Sequence, residues 1–405
     1  MGDQVPKTIG DFVTLQRGTT YRGDLVGAPG PALLGLGSIE PGGGFRADHY
    51  KTFGGDCPEK LTLHPGDIYV ALKGATKDGS MIGSVARVPR TIASGRLTQD
   101  TAKLQFLQPD SETARYVYWV LRTPQYRDYC AGRATGTTAV ALNRADFFAY
   151  PVPSVNRQTR RLVELFEAID EKIELNRRMN VTLEAIARAI FKAWFVDFDP
   201  VRKKIEDGEA NLPPDLDVHF PRSFDASPIG PVPAGWDVGI VEDLFVLQRG
   251  FDLPKQARTT GIYPVVSAGG PNGNHCSYRV RGPGVVTGRS GRLGGVWFID
   301  ADFWPLNTAL WVKEYRAAGP LWTYHYLHCA GLQALNSGSA VPTLNRNHLH
   351  RQTALIPPAP LASAFERLAQ PLFAGMATNR RQSNSLERAR DELLPWLMSG
   401  CDGRE

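Results

Sequence analysis

The chain contains the same pair of sequence motifs twice, about half its length apart, and this repetition constrains its fold more than any other feature. The segment Leu15-Gln16-Arg17-Gly18 returns as Leu247-Gln248-Arg249-Gly250. Residues 135–144, which end in Leu-Asn-Arg, return as residues 337–346 with the same ending. Each second motif is followed by a proline-bearing segment and then by a long helical pattern. Two copies of one module predict two globular units with two equivalent surfaces.

Between the motifs of each copy, the sequence is typical of short strands joined by glycine-rich turns, with one helix predicted near residues 114–121. Residues 68–75 align with residues 284–291 of the second copy, which aligns Lys73 with Arg289. We predict a mixed α/β (α+β) fold in which two α/β domains alternate with two long helices. The predicted boundaries are 1–155 for the first domain, 156–199 for the first spacer helix, 200–232 for a linker rich in proline and charge, 233–358 for the second domain and 359–400 for the second spacer helix.

In the two helical patterns, apolar residues recur at alternating steps of four and three. Asn176 and Asn379 occupy matching positions, where a buried amide selects one register at a cost in stability. Arg390 breaks the pattern, and Pro371 is expected to kink or shorten the second helix. The matched patterns predict an antiparallel coiled coil spanning on the order of 55 Å, although each helix packing on its own globular unit remains an alternative. The predicted seam residues are Leu162, Phe166, Ile169, Ile173, Asn176, Leu183, Ile190, Phe365, Leu372, Met376, Asn379, Leu386 and Leu393.

Composition narrows the class of protein without identifying it. The 405 residues are 42% apolar and 21% charged, as in ordinary globular domains. The formal net charge of +5 permits contact with a polyanion, but a solvated basic surface explains it equally. Five scattered cysteines without a C-x-x-C pair indicate a reduced setting. With neither a signal-like start nor an apolar stretch of membrane-spanning length, the sequence predicts a soluble, cytoplasmic protein.

Active-site motifs are not found, and no catalytic or metal-binding residues are predicted. Residues 34–37 are the nearest thing to a nucleotide-binding glycine loop, but Pro41 and three glycines follow where a helix should begin. Residues 211–214 resemble the Asn-Pro-Pro-aromatic motif of amino-methyltransferases, yet Leu212 interrupts it and Asp215 replaces the ring. His325 and His328 lack companions at metal-site spacing, which favours packing over zinc binding.

Polar side chains on glycine-rich loops are present in both copies. Cations on such loops can approach a phosphate chain because glycine leaves room for the backbone, while hydroxyl, amide and guanidinium groups read base edges. Each residue taken alone is better explained as a solvated or turn-capping group, so only the recurrence in both copies favours binding. The predicted DNA-binding residues are Arg17, Lys73, Thr76, Lys77, Thr135, Thr137, Thr138, Asn143, Arg144, Arg249, Arg289, Ser290, Arg292, Ser337, Ser339, Asn345 and Arg346.

On these residues the chain resembles the specificity subunits of Type I restriction-modification enzymes. The resemblance is carried by the two Leu-Gln-Arg-Gly segments and by the run Gly-Ser-Ala-Val-Pro-Thr-Leu-Asn-Arg at 338–346, with its copy ending at Arg144. The helix end at 193–200 and the opening of the second unit at 230–236 add to it. The resemblance covers essentially the whole chain, and the order of the motifs is its most specific part.

The resemblance implies two target-recognition domains, each reading one half of a split DNA sequence, and two helices that set the gap between the halves. It implies a non-catalytic subunit of an adenine DNA methyltransferase and endonuclease. The implied partners are double-stranded DNA, two methyltransferase subunits and restriction-translocase subunits, with no membrane. S-adenosylmethionine, ATP and magnesium are expected in the partner subunits, and no cofactor is expected on this chain.

Two other hypotheses remain open. The chain is either a non-catalytic protein-interaction scaffold without DNA specificity or an enzyme with an unrecognised site. Salt-dependent DNA binding separates the recognition hypothesis from the scaffold, since neutralising phosphates makes affinity fall with salt. Trp194 and Phe195, near the end of the first helix, are expected to be exposed until partner subunits cover them.

Overall fold

A computed structural model describes residues 7–47, 50–74, 81–108, 110–136 and 140–399. The chain forms two compact units. Unit 1 comprises Met1–Glu174 together with Gln382–Glu405, and unit 2 comprises Leu175–Arg381. Unit 1 is therefore built from two separate segments of chain, whereas unit 2 is continuous.

Within its described residues, unit 1 contains two four-stranded sheets, one short pair of strands and three α-helices before the first long helix. Its strands are β1 (Val13–Arg17), β2 (Ala32–Leu34), β3 (Lys51–Thr52), β4 (Thr62–Leu63), β5 (Ile68–Ala71), β6 (Lys73–Gly74), β7 (Val85–Arg87), β8 (Gly95–Leu97), β9 (Thr101–Phe106) and β10 (Val140–Ala141). Its helices are α1 (Ser111–Val120), α2 (Pro124–Arg133) and α3 (Arg144–Phe148). One sheet has the antiparallel order β1-β9-β5-β7, and the other has the order β3-β2-β8-β4 with β2 and β8 parallel.

Strand β5 is buried on both faces because it lies between two cores. Ile68 and Val70 face a cluster with Trp119 and Phe166, while Tyr69 and Ala71 face the second sheet. This division follows from the two-residue period of a strand. Strand β5 therefore joins the two sheets of unit 1 into one structure.

The first long helix, α4 (Arg157–Phe195), leads from unit 1 into unit 2. The helices that follow are α5 (Asp199–Glu206), α6 (Pro214–Asp217), α7 (Val241–Leu244), α8 (Pro320–Cys329), α9 (Arg346–His350), α10 (Ala359–Leu393) and α11 (Trp396–Ser399). The strands are β11 (Phe224–Asp225), β12 (Val232–Pro233), β13 (Asp237–Ile240), β14 (Phe245–Arg249), β15 (Tyr263–Ser267), β16 (Gly270–His275), β17 (Gly284–Gly288), β18 (Val296–Ile299), β19 (Trp304–Pro305), β20 (Ala309–Tyr315) and β21 (Thr353–Ile356).

The main sheet of unit 2 repeats the main sheet of unit 1. Its antiparallel order β14-β20-β17-β18 matches β1-β9-β5-β7 strand for strand. The parallel pair of β15 and β19 likewise corresponds to the parallel pair of β2 and β8. The predicted mixed α/β architecture with two related domains and two long helices is thus confirmed.

The two long helices pack against each other inside each unit. In unit 2, the Asn180 side chain donates to the carbonyl oxygen of Met376 at 3.4 Å, and the Asn176 side chain donates to that of Asn379 at 3.4 Å. The contact partners rise in residue number along α4 while they fall along α10, so the two helices run antiparallel. In unit 1, Arg390 donates to Asp170 of α4 at 2.7 Å, so the residue that breaks the apolar pattern forms an ion pair across the two helices.

The seam residues predicted from the sequence are all buried or half-buried. Some also contact the globular parts, since Phe166 packs on Trp119 with ring centroids 5.1 Å apart. The expectation that Pro371 shortens α10 is wrong, because the helix continues to Leu393. Pro371 and Arg367 are both exposed, so the carbonyl that loses its helical partner can bond to water.

The segment predicted as a linker packs onto unit 2. Val201 and Phe220 are buried, and the Lys204 ammonium donates to the Phe220 carbonyl oxygen at 2.7 Å. Trp194 and Phe195 are also buried, which corrects the expectation that they are exposed. Among the described residues, no helix is both long enough and apolar enough to span a membrane.

Candidate nucleic-acid interface

The two Leu-Gln-Arg-Gly segments occupy equivalent strands, β1 and β14, and end in glycine for a steric reason. Gly18 N–H donates to the Thr101 carbonyl oxygen at 3.0 Å, and Gly250 N–H donates to that of Ala309 at 3.1 Å. A Cβ atom would lie 2.0 Å from the Thr98 oxygen at Gly18, and 2.2 Å from that of Leu306 at Gly250. Glycine therefore allows the close backbone approach that ends each strand.

In unit 1, the second motif pairs with the loop that carries Lys73. Strand β10 is antiparallel to β6, with Ala141 opposite Lys73. On its other side, Ala141 exchanges backbone hydrogen bonds with Thr135 at 2.9 and 3.0 Å. Lys73 and Thr135, which are distant in sequence, thus flank the same residue, and both are exposed.

In unit 2, the second motif pairs with the loop that carries Arg289 in the same way. Leu344 N–H donates to the Arg289 carbonyl oxygen at 2.8 Å, and Ser290 forms a β-bridge with Thr343. Thr343 in turn accepts from the Ser337 N–H at 2.8 Å. The recurrence of two motifs in the sequence is therefore a recurrence of one folded arrangement.

These hydrogen bonds correct the predicted alignment of the two cation-bearing loops. Leu142 and Leu344 are equivalent, and their N–H groups donate to the carbonyls of Leu72 and Arg289 respectively. Arg289 thus corresponds to Leu72, so its predicted alignment with Lys73 is wrong by one residue. This one-residue error matters, because a shift of one residue along a strand places each side chain on the opposite face of the sheet.

Several predicted contact residues use their side chains to stabilise the local fold. The side-chain oxygen of Asn143 accepts from the N–H groups of Ala145 and Asp146 at 2.6 and 3.1 Å, which caps α3. Asn345 caps α9 by the same type of bond to Asn347 at 3.0 Å. The two amides therefore act first as helix caps.

The predicted residues fall into three groups by accessibility. Arg289 and Ser290 are half-buried, and the Arg289 Nε–H donates to the Asn307 carbonyl oxygen at 2.8 Å. Four predicted contacts, namely Thr76, Lys77, Thr137 and Thr138, lie outside the described residues. The exposed group comprises Arg17, Lys73, Thr135, Asn143, Arg144, Arg249, Arg292, Ser337, Ser339, Asn345 and Arg346.

Unit 2 has an open groove of about 840 Å³ into which both of its motifs contribute. Arg249 of the first motif and Arg346 of the second line it together. The lining contains four cationic side chains and two carboxylates, so the groove has an excess of positive charge. The unit 2 groove is lined by Glu242, Val246, Leu247, Gln248, Arg249, Gly250, Phe251, Asp252, Lys313, Arg346, Asn347, His350 and Arg351.

Several positively charged side chains lie close together in and beside the unit 2 groove. Burial lowers the pKa of Arg289, and the nearby charge of Arg249 lowers it further. Burial likewise lowers the pKa of His350, with Glu242 opposing the shift and Arg346 adding to it. His350 is thus neutral near pH 7, and its Nε2 atom accepts from the Leu247 N–H at 2.9 Å.

Sequence reasoning missed seven polar or charged residues of the groove, namely Glu242, Gln248, Asp252, Lys313, Asn347, His350 and Arg351. Gln248 lies inside the first motif and repeats as Gln16, which is a signal that the motif itself offered. Lys313 and Arg351 have no basic counterpart at the equivalent positions of the first copy. A comparison of the two copies therefore gives no signal for them.

The histidines of α8 serve packing. His325 stacks on Phe191 with ring centroids 5.6 Å apart and meets Phe365 edge-on at 5.5 Å. Burial lowers the pKa of His325 to about 3. Within the described ranges there is no group of three or more His, Cys, Asp or Glu residues placed to hold a metal ion.

Comparison with known proteins gives two significant sequence relatives. No protein-family model matches the chain. The Type I restriction enzyme MjaIX specificity subunit of Methanocaldococcus jannaschii is 23% identical over 342 residues, which cover 76% of this chain and 74% of that protein. The Type I restriction enzyme HindI specificity subunit of Haemophilus influenzae is 38% identical over 85 residues, or 21% of this chain and 18% of that protein.

Among solved structures, the S subunit of a Type I restriction-modification system from M. genitalium aligns with a TM-score of 0.52 at 15% identity. The alignment covers 97% of this chain and 95% of that one, which supports the fold described above. By its fold, the chain belongs to the class of duplicated mixed α/β proteins with two long helices. Both sequence relatives are Type I restriction enzyme specificity subunits, the family that the motifs of this chain resemble.

Proposed function

We propose that the chain is the non-catalytic DNA-recognition subunit of a Type I restriction-modification complex, and that each unit reads one half of a bipartite target. The observation that carries this proposal is the repeated arrangement of the motifs on equivalent sheets, combined with different exposed side chains in the two units. Equivalent sheets and motifs place each unit on DNA in the same way. Different exposed side chains let each unit select a different sequence. The exposed cations supply contacts to phosphates.

In this proposal, the paired helices set the gap between the two half-sites and dock two methyltransferase subunits, while restriction-translocase subunits join the assembly. S-adenosylmethionine, ATP and magnesium are brought by those partners, and this chain binds none of them. We place the protein in the cytoplasm, which suits the free thiols of Cys57, Cys130, Cys276 and Cys329.

The decisive experiment co-expresses the chain with its proposed methyltransferase subunit and maps adenine methylation across a host genome by single-molecule sequencing. A split motif with two defined halves and a fixed gap is expected. A soluble complex that binds S-adenosylmethionine but leaves DNA unmodified would overturn the proposal in favour of a protein-interaction scaffold.

A further inference from the structure

The main sheet of unit 2 contains an irregularity at the edge of the groove. Val246 pairs with Glu314 and the next residue, Leu247, pairs with Val312, so Lys313 is an extra residue between the two pairs. Such a β-bulge turns side chains and is frequent next to functional sites. In unit 1, β1 and β9 are fully described and pair without interruption along all of β1. Lys313 therefore has no equivalent residue in the main sheet of unit 1.

The bulge is stabilised by a residue that also differs between the units. The Leu247 N–H, beside the bulge, donates to His350 Nε2 at 2.9 Å, and both atoms are buried. A buried N–H left without an acceptor would cost about 1–3 kcal/mol. His350 is the last residue of α9, and the last residue of the equivalent helix α3 is Phe148, which has no acceptor atom. The extra lysine and the histidine thus occur together in unit 2.

We propose that Lys313 contacts DNA phosphate and that His350 is the positioning residue that holds its bulge in place. This inference rests on the proposed recognition function and extends it to a difference between the units. Lys313 is exposed and lines the groove with Arg249 and Arg346, so a phosphate chain lying there meets three converging cations. Arg351 is a fourth, and the equivalent residue of unit 1 is Ala149. Unit 2 therefore has two cations, Lys313 and Arg351, that unit 1 lacks at the matching positions.

The first test is Lys313→Gln in the full-length chain, co-purified with the proposed methyltransferase subunit. Affinity for a duplex carrying the methylated motif and for an unrelated duplex is measured between 50 and 200 mM salt. Loss of one phosphate contact lowers the slope of log affinity against log salt by about 0.9, which is a three- to four-fold change over this range. Lys203→Gln, at an exposed position on α5, is the matched control and leaves the slope unchanged.

The second test separates the role of His350 from a general loss of folding. His350→Phe, which installs the unit 1 residue, is expected to lower the slope as Lys313→Gln does, whereas His350→Gln retains an acceptor and restores it. After deletion of Lys313, the register becomes that of unit 1, so adding His350→Phe causes no further loss. This pattern is not expected of a residue that merely supports the fold.

Equal salt slopes for Lys313→Gln and the wild type would overturn the inference while leaving the recognition function intact. A drop in slope for His350→Gln as large as for His350→Phe would overturn the positioning role. If the wild-type complex itself bound DNA without salt dependence, the proposed function would fail, which is a different result from either of these.

Discussion

At the scale of single residues, buried ion pairs connect the two long helices within unit 1. Asp170 of α4 accepts from Arg122 at 3.0 Å and from Arg390 of α10 at 2.7 Å. The Arg122 side chain is only 4% exposed and that of Arg390 only 12%. One carboxylate therefore bridges two guanidinium groups that are largely removed from water.

We expect Asp170→Asn to lower the free energy of unfolding by roughly 3 kcal/mol, because it leaves the buried Arg122 without its counter-charge and leaves Arg390 with only the exposed Asp391. The midpoint of urea unfolding measures this change without the screening that guanidinium salt would add. Asp391→Asn is the matched control, since Asp391 pairs with the same Arg390 but is 59% exposed, and it should cost less than about 1 kcal/mol. Equal losses for the two variants would contradict the importance of burial.

His325 has the opposite character, since it is a buried polar group that the fold keeps neutral. Burial lowers the pKa of His325 from 6.5 to about 3. Between these values the unfolded chain takes up a proton that the folded chain does not, so the free energy of unfolding falls as the pH falls. The expected contribution is about 1.4 kcal/mol per pH unit across this window, and none above it.

His325→Phe should remove this contribution, so the variant gains stability relative to the wild type as the pH falls below 6.5. Neither ring nitrogen has a hydrogen-bond partner among the described residues, and the ring already lies among aromatic side chains, so phenylalanine loses no polar contact. Thermal unfolding of both proteins from pH 7 to pH 4 measures the difference. His348→Phe, at an exposed position, is the control; an identical effect there would contradict the argument.

At the scale of elements, the helix pair carries amide hydrogen bonds in the unit 2 part of its seam. The Asn379 side chain donates to the Asn180 side-chain oxygen at 2.9 Å. We expect Asn379→Leu and Asn180→Leu each to cost about 1–2 kcal/mol, because each removes one partner of this hydrogen bond. The double variant should cost less than the sum, since both partners are then apolar. A double-mutant cycle by urea unfolding measures the coupling, and strict additivity would show that the bond contributes nothing.

The proposed role of the helices as a spacer gives a second expectation at this scale. Deleting one heptad from α4 removes about 10 Å of helix and shifts every later seam residue relative to α10. The gap between the two half-sites should therefore shorten, or methylation should be lost. Methylome mapping of the deletion variant distinguishes these outcomes. An active complex with an unchanged gap would refute the spacer role.

At the scale of the whole molecule, the proposed division of the target between the units is itself testable. Replacing residues 233–358 by the corresponding domain of another specificity subunit should change one half of the methylated motif and leave the other half unaltered. The reason is that each unit has its own core and its own set of exposed loop residues. A change in both halves would mean that the units do not read DNA independently.

The repeated domains and the two long helices could be predicted from the sequence, because the motifs that mark them are set by steric and packing constraints. Gly18 and Gly250 mark a close backbone approach, and the four-and-three spacing of apolar residues marked the helix seam. Features that depend on pairing between distant strands could not be seen in this way. The bulge at Lys313 exists only relative to β14, and the shift at Arg289 became visible only through the partner of Leu344.

The predicted linker shows a different limit. Prolines and charges between residues 200 and 232 are typical of an exposed connection. Yet Val201 and Phe220 supply apolar anchors, and the Lys204 ammonium caps backbone carbonyls of the same segment. A few apolar residues suffice to dock such a segment, and composition averaged over thirty or so residues conceals them.

The division of unit 1 into two chain segments affects the order in which the protein folds on the ribosome. The core of unit 1 includes Leu394 and Leu397, which are among the last described residues to be synthesised. Unit 2 is continuous and has all of its residues once Arg381 has emerged. The amino-terminal unit therefore waits, with part of its apolar surface uncovered, until Leu394 and Leu397 have been synthesised, so the unit begun first is completed after unit 2.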